Sequence, residues 1–311
     1  MQLVRTDKSF PFSLLANGSV ATIGTFDGVH LGHQYLLKRV LAEAVARNLP
    51  SVVMSFEPTP KEYFSSGNPP ARLASFREKF ETFRKMGFDI FYCPRFGDEM
   101  RSIAADTFIR RLLIHAMNVR HLVVGDDFEF ARNREGTLEE LKRVSGPLGF
   151  SVEHVASILA GKERISSTAI RGLLREGDLA GARRLLGRRY RMSGRVIDRE
   201  GSSRVDHKDV AFLNMRRRRC AVNGVFAVMV HGVGDKPLGG IASVSNGGID
   251  GDTPRKIAVL VLDPSEAPGS AHVDVEFIER ISSDAVSGRG VPLLQEMQRH
   301  EKKARNILAT I

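Results

Sequence analysis

The sequence has no tryptophan, only four tyrosines and only two cysteines in 311 residues. Cys93 and Cys220 lie far apart and neither sits in a CxxC pattern, which argues against a disulfide framework or a cysteine-held metal and leaves buried free thiols as the expectation. No apolar run approaches the roughly 20 residues that cross a bilayer, so no membrane partner is expected. The opening stretch MQLVRTDKSFPFSLL lacks the apolar centre of a signal peptide, and a cytoplasmic protein is expected. The scarcity of aromatics, with no RNP-like pattern and no zinc finger, also argues against nucleic acid as the partner.

What is abundant is positive charge. With 46 basic and 36 acidic residues the net charge is +10, which favours anionic partners such as phosphates. Two clusters stand out, ARRLLGRRYR (182–191) and RRRR (216–219), and each reads either as a solvated face or as a phosphate site. The length suits two domains of ordinary size, and apolar and charged contents of 42% and 26% are those of a globular protein.

Up to about residue 190, short β-rich runs alternate with amphipathic stretches. Strands are predicted at 20–24, 51–56, 89–93, 121–125 and 151–155, with helices at about 33–47, 75–86, 102–117 and 137–144. Such alternation predicts an α/β domain with a doubly wound, Rossmann-like parallel sheet, whose ligands bind beyond the carboxyl ends of the strands. Two more helices follow, the first capped by Ser166 or Ser167 and stopped at Gly177, the second capped by Asp178 and stopped at Gly187. Beyond Tyr190, short strands separated by Gly, Pro and Asp predict a small β-barrel, closed by a helix over 292–309. The expected division is 1–188 and 189–311.

The richest stretch for chemistry is GTFDGVHLGHQ, 24–34, where the first strong strand hands over to a helix. His30 and His33, at i and i+3, share the first helical turn, where free N–H groups and the helix dipole favour negative charge. Gly24, Gly28 and Gly32 would let a polyphosphate come close to the backbone. No GxxxxGK[ST] occurs here, so a P-loop is excluded. A structural histidine pair is the plainer reading of HxGH taken alone.

Three further clusters follow strands. VVGDDFEFARNREG (123–136) sets Asp126 and Asp127 before Phe128 and Phe130; a charged loop anchored by aromatics would look the same. RISSTAIR (164–171) offers Ser166, Ser167 and Thr168 at a helix start with Arg171 a turn later, either an anion site or an ordinary cap. SFEPTPKEYF (55–64) stiffens a loop with Pro58 and Pro60 beside Phe56 and Phe64, which suits a flat heterocycle or plain packing.

GTFDGVHLGHQ, FEPTP, RLASFREKFE, VVGDDFEFARNREG and ISSTAIRGLLREGDLAGARRLLGRRY, in this order over about 18–196, resemble the motif series of prokaryotic bifunctional FAD synthetases (riboflavin kinase/FMN adenylyltransferase). The resemblance implies adenylyl transfer from ATP to FMN, giving FAD and pyrophosphate, with Mg²⁺ accompanying the ATP. It implies phosphate contacts and transition-state stabilisation from His30 and His33. It also implies a nucleotide pocket shaped by Gly24, Phe26, Asp27, Gly28 and Gly32, and a phosphate-binding turn of Ser166, Ser167, Thr168 and Arg171. Asp127 matches the polar position before Phe128, and Phe56, Pro58 and Phe128 would line the flavin. The family usually has glycine after the second Phe of DFxFG, where this chain has Ala131. A monomer or weak homo-oligomer is expected.

The second half departs from the family. There a GxPTAN turn holds ATP and Mg²⁺, and a glutamate in LEVHLLD deprotonates riboflavin. This chain keeps SGRV (193–196), NGVFAV (223–228) and LLQEMQRHEKKAR (293–305). Where the turn should fall it reads DVAFLNM (209–215), with only Asn214 matching, and IAVLVLD (257–263) puts Ala258 at the glutamate position. Alanine has no proton acceptor. FAD synthesis with the kinase lost is therefore expected; a fully bifunctional enzyme and a non-catalytic flavin- or nucleotide-binding regulator are the alternatives.

Overall fold

The computed structural model describes residues 1–65, 67–161, 163–200, 210–215, 217, 219–245, 256–263, 272–286 and 290–311; Asp209, Arg216 and Arg218 of the segments quoted above lie outside them. The chain divides into two compact units, one of residues 1–68 and 79–165, the other of 69–78 and 166–311.

The first unit holds strands β1 (Gln2–Val4), β2 (Ser19–Ile23), β3 (Ser51–Met54), β4 (Ile90–Tyr92), β5 (Val119–Gly125) and β6 (Ser151–Val155). They form one parallel sheet in the order β1-β4-β3-β2-β5-β6. The central strands are buried along their whole length, as expected where helices cover both faces. The chain moves outward from β2 through β3 to β4, then returns to β5 on the other side of β2. The switch point where open α/β sheets bind ligands therefore lies beside β2, and the 24–34 segment leaves its carboxyl end. Strand β1 was not anticipated: three residues at a sheet edge carry no periodicity.

Helix α1 (Leu31–Arg47) packs against β2, β3 and β5 and stops at Asn48, whose left-handed backbone closes the last turn. Next come α2 (Pro60–Phe64), α3 (Phe76–Met86), α4 (Asp98–Ser102), α5 (Ala105–Phe108) and α6 (Leu138–Ser145), with a small hairpin of β7 (Leu159–Ala160) and β8 (Glu163–Arg164) at the end. The single helix expected over 102–117 starts instead at Ala105, preceded by the separate turn α4. The division between the two units falls inside α3, after Glu78.

The second unit begins with α7 (Ser167–Glu176) and α8 (Leu179–Leu186). Ser166 caps α7 through a bond from the Ala169 N–H (3.1 Å), and Asp178 caps α8 through one from Gly181 (2.7 Å). Gly177 and Gly187, both left-handed, end these helices where the sequence placed their stops. Strands β9 (Arg191–Glu200), β10 (Val210–Asn214), β11 (Gly224–His231), β12 (Leu238–Val244), β13 (Lys256–Val261) and β14 (His272–Ser282) close an antiparallel barrel in the order β10-β13-β12-β11-β14-β9. One apolar cluster joins Met192, Leu213, Val228, Val259 and Phe277; another joins Phe212, Ala227, Ala258 and Leu260 to Leu293, Leu294 and Met297. The closing helix is two, α9 (Gly290–Gln298) and α10 (Glu301–Leu308), parted at Arg299–His300.

Cys93 and Cys220 are buried free thiols, as their spacing suggested. Among the described residues, no helix is long and apolar enough to cross a membrane.

One arginine of the RRRR run is neither solvated nor at an anion site. Arg217 is buried in the second unit, where it donates to the carbonyls of Arg72 (2.8 Å) and Leu73 (3.1 Å) and to the Tyr190 hydroxyl (3.2 Å), and pairs with Glu78. It anchors the 69–78 segment to that unit. Arg219 is exposed.

Candidate active site

The loop that leaves β2 is unusual in its backbone. Phe26 (φ +47°), Gly28 (+79°) and Val29 (+41°) all have positive φ, and only one of the three is glycine. Such conformations persist when surrounding contacts impose them, and they gather at functional sites. The contacts here are plain: Phe26 and Val29 are buried, and the Phe26 ring folds over Gly24 so closely that a Cβ on residue 24 would lie 2.9 Å from it. Gly24 is thus required by its own loop. Gly32 similarly faces the His30 ring, 3.3 Å from where its Cβ would stand.

His30 is the N-cap of α1. Its Nδ1 accepts the backbone N–H of His33 at 3.3 Å, which makes Nε2 the donor nitrogen whenever the imidazole is neutral. The His30 and His33 rings stack at 3.6 Å with 16° between planes, and the Phe26 ring meets His33 edge-on at 5.3 Å. His33 keeps part of its ring surface open while its Nδ1 is buried without a hydrogen-bond partner. An orphaned buried nitrogen costs about 1–3 kcal/mol unless a ligand supplies the bond. Desolvation, then the neighbouring His30 and Lys79, hold the His33 imidazole well below its ordinary pKa, so it is neutral at neutral pH. A stacked imidazole pair at the positive end of a 17-residue helix, beside the switch point, is placed to meet an anion's oxygens.

Lys79 was not singled out by the sequence. It is 1% exposed and its ammonium donates to the Thr25 carbonyl (3.3 Å) and to Ser55 Oγ (3.1 Å), at the carboxyl ends of β2 and β3. A signal was available: Phe76, Lys79, Phe80 and Phe83 follow the i, i+3, i+4, i+7 pattern of a buried helix stripe, with a lysine in one of its apolar places.

The remaining candidates spread over both units. Asp27 is buried in the same loop as His30. Phe56 is buried against Phe96 (5.5 Å between centroids) and belongs to the core of the first unit, and Pro58 follows it after a cis peptide bond. Phe128 stacks on Phe130 (5.5 Å). Asp127 is exposed and accepts from Arg164 at 2.8 Å, while Asp126 accepts from the Ser157 N–H, which with His154 holds its carboxyl below the usual range. Ser166, Ser167, Thr168 and Arg171 sit in the second unit at the start of α7, where Arg171 donates to the Ala71 carbonyl at 2.7 Å. Glu43, His121 and Glu153 bring their ligand atoms within 4.8 Å of one another, but Arg39 and Arg47 neutralise both carboxylates, and the group clasps α1 to β5 and β6.

Ala131 has φ +67° and ψ −173°, a region comfortable only for glycine, which explains why a glycine is usual there. Replacing Ala131 with glycine should raise stability by about 1 kcal/mol, or roughly 2–4 °C in Tm. A thermal melt showing no rise would contradict the strain.

With this geometry in hand, the comparisons are specific. Residues 13–169 match the FAD synthetase family and residues 186–308 the riboflavin kinase family. The chain is 36% identical over 288 residues to the bifunctional riboflavin kinase/FMN adenylyltransferase of Escherichia coli K12, covering 93% of this chain and 92% of that one. The chain belongs to the bifunctional riboflavin kinase/FMN adenylyltransferase family. Its relative of the same description in Pseudomonas fluorescens is 35% identical over 92% of this chain and 86% of its own. A crystal structure described as a macrolide-efflux protein from Streptococcus pneumoniae superposes over 98% of both chains with a TM-score of 0.75 at 26% identity. Within this family the 24–34 loop, with its stacked histidines, falls in the FAD synthetase half, and Ala258 and Phe212 fall in the riboflavin kinase half.

Proposed function

We propose that the first unit's site transfers the adenylyl group of ATP to FMN. A phosphate oxygen of FMN attacks the α-phosphorus of ATP, the bond from that phosphorus to the oxygen bridging to the β-phosphate breaks, and FAD and pyrophosphate result. The observation that carries this reading is the stacked His30–His33 pair at the N-terminus of α1, with His33 Nδ1 buried and unmatched. Negative charge grows on the bridging oxygen as the bond breaks, and preorganised N–H donors aimed at such an oxygen are worth most in a site shielded from water. His30, held in its tautomer by the His33 N–H, offers Nε2–H for this purpose.

Mg²⁺ takes oxygen ligands and keeps several waters, so it fits here as an ion carried by the phosphates, with the Asp27 carboxylate as the protein's hard donor and the imidazoles left to the phosphate oxygens. Bound there, it would neutralise charge on the triphosphate. Phe56, Pro58 and Phe128 remain the candidates for the flavin; Ser166, Thr168 and Arg171, at the start of α7 in the second unit, remain a candidate phosphate-binding turn of that unit.

Protein incubated with FMN, ATP and Mg²⁺ should release FAD and pyrophosphate in equal amounts. Absence of FAD would end this reading and leave a nucleotide- or flavin-binding role.

We further propose that the barrel has lost riboflavin phosphorylation. Ala258 stands at the position of the family's glutamate, and across β10 and β13 it pairs in register with Phe212, from the segment where the GxPTAN turn is expected. Its neighbour on β12 is Ser243. Phe212 and Ala258 belong to one apolar cluster with Leu293, Leu294 and Met297, so packing occupies positions where a base and metal-holding hydroxyls are needed. The bifunctional reading is favoured by the riboflavin kinase match over 186–308 and by the relatives' described activities.

A further inference from the structure

We propose that Lys79 is a positioning residue for this adenylyl transfer: its ammonium group pins the start of the 24–30 loop that carries the histidine pair. The inference rests on the function proposed above, and it gives a role to a lysine inside RLASFREKFE to which the sequence reading gave none.

Three observations converge. The Lys79 ammonium donates to the Thr25 carbonyl and to Ser55 Oγ, and Ser55 Oγ itself donates to the same carbonyl at 3.3 Å, so the ends of β2 and β3 are tied through one charged group. Thr25 immediately precedes Phe26, where the backbone turns left-handed. One helical turn beyond Lys79, Phe83 packs edge-on against Phe26 at 5.8 Å, and Phe26 in turn packs on His33 at 5.3 Å. The same face of α3 therefore fixes both the backbone entering the loop and the ring that supports the second histidine.

A buried ammonium is a poor choice for packing alone. Removing its hydration costs several kcal/mol, and well-packed apolar residues of similar volume often serve stability equally well or better. Methionine would fill the same place in the Phe76–Phe80–Phe83 stripe. What methionine lacks is the charge, which ties the Thr25 carbonyl to Ser55 and adds to the burial that already holds the His33 imidazole unprotonated. His30 and Lys79 are the groups whose charge bears on His33, both lowering its pKa.

The test compares Lys79→Met and Lys79→Gln with wild type, using the full chain. Expected is a kcat for FAD formation lower by about 100-fold, as a small displacement of positioned groups produces, with KM for FMN within about three-fold. The His33 titration midpoint, followed by NMR without substrates, should move upward once the charge is removed. Lys79→Arg, which keeps the charge, should leave that midpoint near the wild-type value. Unchanged kcat and an unmoved His33 midpoint in the folded variants would overturn the proposal, as would a change in Tm alone. Because the His33 titration needs no FAD synthesis, a wild-type protein that makes no FAD would refute the proposed function while the titration still decides whether Lys79 acts on His33.

Discussion

Replacing His33 with alanine lowers the turnover of FAD formation by about 100- to 1,000-fold, the loss typical of one preorganised donor at a developing oxyanion, and leaves FMN affinity within a few-fold. The asymmetry follows from placement. His33 stands in the first turn of α1 with one face on His30, where the proposed polyphosphate site lies, and Phe56, Pro58 and Phe128 rather than His33 are the candidates for the flavin. Its buried Nδ1 has no bond to lose, so truncation should cost less stability than the same change at His30, which also removes the helix cap, worth about 1 kcal/mol. Steady-state kinetics beside FMN binding separates the two effects. Equal losses in turnover and FMN affinity would mean that His33 binds ground state and transition state alike.

Replacing Arg217 with alanine destabilises the second unit by about 3–5 kcal/mol, the range found when one partner of a buried ion pair is removed. Its side chain has no exposed surface, and Glu78, 15% exposed, loses its cation. Glu78 would keep the N–H groups of Ser75 (2.7 Å) and Ser193 (2.6 Å), and the carbonyls of Arg72 and Leu73 would lose a donor. Arg217→Lys should recover only part of the loss, because an ammonium cannot span a carboxylate, two carbonyls and a hydroxyl as the guanidinium fork does. Arg219→Ala, at an exposed position in the same run, should change stability by no more than about 0.5 kcal/mol. Chemical denaturation distinguishes these outcomes. Equal, small effects at 217 and 219 would contradict the buried network.

The contrast between 217 and 219 shows where sequence reading stops. Four consecutive arginines give no local sign of which is buried, because the partner that decides it, Glu78, lies 139 residues away in sequence. For the same reason the membership of 69–78 in the second unit was not legible: Ala71, Arg72 and Glu78 bond to Arg171, Arg217 and Ser193, about 100 or more residues away in sequence. Local signals did better. Alternating strands and helices carried the sheet, Gly177, Asp178 and Gly187 marked their helix ends to the residue, and the α7 cap was narrowed to Ser166 or Ser167, because caps are chosen by backbone chemistry within one turn. The histidine pair was legible as a cluster, but its stacking and the role of His30 as its neighbour's cap depend on the left-handed loop from Phe26 to Val29, which has only one glycine to announce it. Ala131 shows the reverse: an odd residue in a motif whose physical cost appears only with its φ and ψ.

The most direct test of the whole account is a product assay with two flavins side by side, the same preparation receiving ATP and Mg²⁺ with either FMN or riboflavin. The account predicts FAD and pyrophosphate from FMN, and neither FMN nor FAD from riboflavin. FMN appearing from riboflavin would show that the barrel, despite Ala258 and Phe212, still phosphorylates, and failure to make FAD from FMN would contradict the central claim.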